Sequence, residues 1–114
     1  MGKWGEEYAA RVLTKKGYCL VTRNWRCRQG EIDLVVEKDG CLAFVEVRTR
    51  RGDSLGSPEE SITERKRARL ISLADAYLQS TEWPGEWRID VVAIQMDGRG
   101  RLLRVDHYEN AVTG

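Results

Sequence analysis

The residues best equipped for chemistry are two acids, Asp33 and Glu46, on neighbouring β-rich runs. Ile32-Asp33-Leu34-Val35-Val36-Glu37-Lys38 and Cys41-Leu42-Ala43-Phe44-Val45-Glu46-Val47-Arg48-Thr49 are separated by Asp39-Gly40. Asp-Gly between two such runs predicts a two-residue type I′ hairpin loop. That loop pairs Lys38 with Cys41 and, counting back along both strands, sets Asp33 opposite Glu46, Val35 opposite Phe44 and Glu31 opposite Arg48. Carboxylates placed directly opposite each other repel. A bound cation or a shared proton makes the arrangement sensible, and oxygen-only ligation suits Mg²⁺ or Mn²⁺. A salt-bridged surface in which Arg48 reaches both acids gives the same pattern, and a single β-bulge would separate the pair.

Strand alternation places Glu31, Asp33, Val35, Phe44, Glu46 and Arg48 on one face of the hairpin. Ile32, Leu34, Val36, Ala43, Val45 and Val47 line the other, the expected seat of the core. Before the hairpin, residues 3–16 have the spacing of an amphipathic helix through Ala9, Val12 and Leu13, stopped by Gly17. Glu6 lies within ~60° of Ala9, Ala10 and Leu13 on that helix and so flanks its buried face; a first-turn glutamate is also simply favoured by the helix dipole. Glu7 and Arg11 point outward. A strand is expected from Tyr18 toward Trp25. After the hairpin, Arg50 to Gly56 reads as a polar loop. Ser57-Pro58-Glu59-Glu60 offers one helix start and Thr63 a rival N-cap, with the main helix from about Glu64 to Gln79. Its buried stripe is Leu70, Leu73, Ala74, Tyr77 and Leu78, and Lys66, one turn before Leu70, can turn its amine toward the hairpin. Trp87 to Ile94 is a strand apolar on both faces, and Leu102 to Asp106 a last strand. The order αβββαβ plus one strand predicts an α/β (α+β) fold with a central mixed sheet flanked by helices, in one domain spanning 1–114.

Composition narrows the chemistry. The chain has 114 residues, 19 Lys+Arg against 18 Asp+Glu, and a net charge of +1, which suits one globular core and argues against a general polycation. It has one His and three Cys; Cys19, Cys27 and Cys41 lack zinc-site spacing and are expected reduced, in a cytoplasmic protein. No run approaches the ~20 apolar residues that span a bilayer, and no secretory signal opens the chain. Gly52-Asp53-Ser54-Leu55 spells the motif of GDSL hydrolases, but a nucleophilic serine needs a histidine base held by an acid. Here Asp106 directly precedes the only His, without the spacing those enzymes use.

Nearly the whole chain resembles the YraN family of small bacterial proteins. The resemblance is carried by Gly5-Glu6-Glu7-Tyr8-Ala9-Ala10, Gly17-Tyr18, Arg23-Asn24-Trp25-Arg26, Gly30-Glu31-Ile32-Asp33-Leu34, Phe44-Val45-Glu46-Val47-Arg48-Thr49-Arg50, Gly56-Ser57-Pro58-Glu59, Arg65-Lys66-Arg67, Arg88-Ile89-Asp90-Val91-Val92-Ala93 and Glu109-Asn110-Ala111. Asp33 followed by Glu46-Val47-Arg48 is similar to the PD-(D/E)xK nuclease pattern. The resemblance therefore implies a restriction-endonuclease-like fold akin to archaeal Holliday-junction resolvases. It implies Mg²⁺ or Mn²⁺ held by Asp33 and Glu46 with help from the Val47 carbonyl, and Glu6 as a supporting glutamate. Arg48 stands where the superfamily has lysine. Arginine clamps phosphate but is a poor base, and Lys66 is the second candidate for that lysine's work, since some nucleases of this superfamily carry it on this helix.

Arg48, Arg50, Arg51, Arg65, Lys66, Arg67 and Arg69 outnumber Asp53, Glu59, Glu60 and Glu64 in this stretch. Arg50, Arg51, Arg65 and Arg67 are the expected contacts to a nucleic-acid backbone. The function expected is metal-dependent hydrolysis of structured or branched DNA, with a homodimer implied by the resolvase likeness. The alternative is a non-catalytic DNA-binding or partner-binding module on the same fold.

Overall fold

A computed structural model describes residues 2–52 and 62–112. The GDSL-like serine and the Ser57-Pro58 helix start lie outside these residues. The order is α1 (Gly2–Lys15), β1 (Cys19–Cys27), β2 (Gly30–Lys38), β3 (Cys41–Arg51), α2 (Glu64–Thr81), β4 (Glu86–Met96) and β5 (Leu102–Val112). The five strands form one sheet in chain order, β1 to β5. Neighbours are antiparallel except β3 and β4, which run parallel because α2 carries the chain back between them. This is the mixed sheet with two helices that the sequence predicts, an α+β arrangement consistent with a restriction-endonuclease-like core.

Local chemistry explains the elements. Gly17 ends α1 at φ +99°, a conformation costly for residues with a Cβ. Asp39 and Gly40 both take positive φ, +53° and +80°, as a type I′ turn requires. The hairpin pairs in the expected register from Lys38↔Cys41 to Leu34↔Val45. Thr63 is the N-cap of α2, its side chain accepting from the Lys66 amide at 3.2 Å, which satisfies one otherwise unpaired donor of the first turn. Two further boundaries differ from expectation. Arg50 and Arg51 do not open a loop; they finish β3, opposite Gln95 and Met96. The last strand runs on to Val112.

The core is not confined to one face of the hairpin. Ala9, Ala10 and Leu13 of α1 pack with Leu34, Val36, Ala43, Val45 and Ile94 on one side. Leu70, Leu73, Ala74 and Tyr77 of α2 pack with Ile32, Val35, Phe44 and Ile89 on the other. With a helix on each face, both faces must be apolar. Ile32 also departs from strict alternation, burying itself with Val35 rather than with Leu34. The strand is therefore irregular around Asp33. Across from it in β1, between the paired residues Arg23 and Trp25, Asn24 takes φ +53°.

Candidate active site

That irregularity builds the site. The ladder between β2 and β3 stops at Leu34↔Val45, so Asp33 and Glu46 lie just beyond it rather than as a hydrogen-bonded pair. Asp33 instead accepts the Val47 amide at 2.8 Å on Oδ2, bridging the two strands with its side chain. Glu6 reaches the same place from α1. The helix comes close enough because residue 5 is glycine: a Cβ there would stand 2.5 Å from the Thr49 hydroxyl.

Glu6, Glu31 and Asp33 each bring a carboxylate oxygen within 4.8 Å of the others. Asn24 holds two of them, its amide donating to Glu6 at 2.7 Å and lying 3.5 Å from Glu31. Arg26 donates to the other oxygen of Glu31 at 2.8 Å. Burial pushes the Asp33 carboxyl up to about 7; the Val47 amide pulls it down, but Glu46, Glu6 and Glu31 raise it further. A carboxylate so placed is short of positive charge.

A second cation comes from α2. The Lys66 ammonium lies 2.8 Å from Glu46 Oε2, both side chains mostly buried. The stripe position of Lys66 thus delivers its amine to the hairpin as expected. Arg48 forms no hydrogen bond or ion pair among the described residues, so the salt-bridged surface centred on it is absent there. Of the sequence-selected residues, the structure gathers Glu6, Asp33, Glu46, Val47 and Lys66 into one region. Glu46 stands outside the close group of three acids, and Glu31, read from the sequence only as the partner of Arg48, takes the third place in it. Its signal was available: a glutamate two residues before Asp33 on the same strand.

Arg65 and Arg69 line a cavity of about 220 Å³ together with Thr63 and Lys66. Neither pairs with an acid among the described residues. Cations at a helix N-terminus oppose the macrodipole, so this end of α2 carries unmet positive charge beside unmet negative charge at Asp33. Arg67 leans toward Glu64 at 3.7 Å.

Sequence reasoning missed a second polar centre. Asp90 is fully buried. It accepts from Arg88 Nε at 2.9 Å and from the Asn110 amide at 2.9 Å, and lies 2.8 Å from His107 Nε2. Lys16 reaches His107 Nδ1 at 2.7 Å, which sets the ring proton on Nε2, toward Asp90. Burial alone would raise the Asp90 carboxyl, but the bonds from His107, Asn110 and Arg88 hold it below the usual range. Arg88 also donates to the Tyr18 hydroxyl.

Residues 5–94 match the model of the uncharacterised protein family UPF0102. The chain belongs to this family. A UPF0102 protein of Roseiflexus castenholzii is 52% identical over 114 residues, covering 98% of this chain and 92% of the relative. One from Pelotomaculum thermopropionicum is 49% identical over 112 residues, 97% and 93% of the two chains. One from Rhodococcus jostii is 44% identical over 113 residues, 97% and 94%. The YraN likeness read from the sequence is thereby confirmed, and the UPF0102 match takes in Glu6, Glu31, Asp33, Glu46 and Lys66 while ending before His107. Among the described residues, no helix is long and apolar enough to cross a membrane.

Proposed function

We propose that this UPF0102 chain is a metal-dependent endonuclease that hydrolyses phosphodiester bonds in structured DNA such as junctions, flaps or recombination intermediates. The observation that carries this reading is Asp33: a half-buried carboxyl pushed up to about 7 and crowded by three acids, with a lysine ammonium on the adjoining glutamate. The donor set fits Mg²⁺ or Mn²⁺, being all oxygen, acidic and closely grouped. Asp33 would hold the ion, with Glu6 and Glu31 on one side and Glu46 and the Val47 carbonyl on the other. Such an ion supplies Lewis acidity and makes water more acidic at neutral pH.

The protein's own residues do the rest. Lys66, oriented by Glu46, faces the scissile phosphate, steadies the charge that grows on it and orients the attacking water. Arg48 clamps a phosphate oxygen, a task suited to a guanidinium that stays protonated. Arg50, Arg51, Arg65 and Arg67 track the flanking backbone, which makes binding fall steeply with salt. Asn24 keeps Glu6 and Glu31 in place against their mutual repulsion. A lysine supplied by α2 answers the objection raised by arginine at position 48.

The test is nicking of labelled four-way, flap and single-stranded DNA with Mg²⁺ or Mn²⁺, with Asp33→Ala and Glu46→Ala in parallel. Loss of cleavage by about 100-fold or more is expected in each. Cleavage that survives both changes belongs to a contaminant and overturns the reading. DNA binding without cleavage by the parent chain would leave a non-catalytic DNA-binding module in its place.

A further inference from the structure

A groove runs between α1 and the outer strand β1, with a volume of about 510 Å³, within the roughly 300–1,000 Å³ of clefts that hold small organic groups. Its floor is largely apolar, from Ala10 and Leu20, and its rim carries Arg11, Lys15 and Arg23 against a single acid, Glu7. None of these cations is paired with an acid among the described residues. One end of the groove abuts the acid site: Glu7 adjoins Glu6 and Arg23 adjoins Asn24, and Glu6 and Asn24 are joined by the 2.7 Å hydrogen bond. At the α1 rim the Arg11 guanidinium lies over the Tyr8 ring, which stacks on the exposed ring of Trp4.

Resting on the nuclease reading, we propose that this groove receives an unpaired strand of the substrate where it leaves the acid site. The DNA acted on therefore carries a single-stranded arm at the point of cleavage. Charge and shape favour this occupant together. The unpaired rim cations suit phosphates, and the apolar floor and the adjacent stacked rings suit exposed bases. A duplex buries its bases in the stack and offers phosphates alone, so it engages the rim and leaves the floor unused. An acidic peptide would meet the same cations but brings no bases to the floor, and it stands in place of DNA if the parent chain fails to bind oligo-dT.

The experiment is fluorescence anisotropy of a labelled 12-nucleotide oligo-dT and of a blunt 12-base-pair duplex, in EDTA at low salt, so that cleavage plays no part. The parent chain binds the oligo-dT. Arg11→Glu with Lys15→Glu, both exposed positions, weakens that binding by about tenfold or more through lost phosphate contacts. Leu20→Ser, on the floor, weakens oligo-dT binding while changing duplex binding by less than about twofold, because only exposed bases use the floor and no charge is added. Circular dichroism checks that each variant folds. Absence of oligo-dT binding by the parent, no change in the variants, or equal loss on both DNAs from Leu20→Ser overturns the proposal. The nuclease reading stands or falls separately, on the cleavage assay with Asp33→Ala and Glu46→Ala.

Discussion

Asp33 and Asp90 are the same side chain on neighbouring parts of one sheet, with opposite surroundings. Asp90 is fully buried and receives His107, Arg88 and the Asn110 amide, so its charge is met within the protein and its carboxyl is held low. Asp33 is less buried, receives one amide, faces three acids and is pushed up to about 7. Burial alone thus does not mark a functional carboxylate. What sets Asp33 apart is a deficit of donors. Asp90 holds the fold: it ties β4 to β5 and, through His107 and Lys16, to the end of α1.

The contrast can be broken from either side. The largest effect is expected from Asp90→Ala, which leaves Arg88 without its buried partner; loss of a buried pair in this way costs about 3–5 kcal/mol. Urea unfolding measures it, and a loss below about 1 kcal/mol would remove Asp90 from its structural role. Next comes Lys66→Gln, which, on the role proposed for its charge at the reacting phosphate, should lower cleavage about 100-fold. Arg48→Gln should fall short of that in the same assay. The reverse ranking would return the role to the strand position.

Gly5→Ala forces α1 away from Thr49 and carries Glu6 from Asp33. Overpacking costs about 1–3 kcal/mol, and thermal melts with and without Mg²⁺ should show both lower stability and weaker stabilisation by the ion. Thr49→Ala in the same chain removes the clashing hydroxyl and should restore both.

The dependence on pH is the most diagnostic. The folded chain holds the Asp33 proton up to about pH 7, whereas an ordinary aspartic carboxyl loses it near 3.8. In this interval the folded state binds more protons than the unfolded, so the contribution of Asp33 to stability falls as pH rises from about 4 to 7 and stays low above. Asp33→Asn should therefore melt higher than the parent at pH 8 without divalent ions, with the gain gone by pH 4. Asp90 runs the other way: its contribution is present above 3.8 and is lost as pH falls through its lowered value. Equal melting of parent and Asp33→Asn at pH 8 would mean the crowding of acids is relieved internally.

Much of this was legible in the residues. Asp39-Gly40 sets the hairpin register through a turn that few other pairs adopt, and helical spacing placed both Glu6 and Lys66 toward the core. What the pattern hid has physical causes. Alternation assumes a regular strand, and the left-handed turn of Asn24 opposite Asp33 breaks it, so Ile32 packs on the other face while Glu31 stays beside Asp33. Asp90 and His107 lie 17 positions apart in the chain, and only the pairing of β4 with β5 unites them. Arg50 and Arg51 looked like loop residues because polarity alone does not disclose a parallel partner strand.

The sheet follows chain order from β1 to β5, which gives synthesis a direction. Each strand has its partner already made or next to emerge. The acid group, drawn from α1 and β2, is complete in sequence by residue 33, whereas Lys66 arrives a helix later. A nascent chain thus carries every member of the acid group before it owns the lysine that meets Glu46.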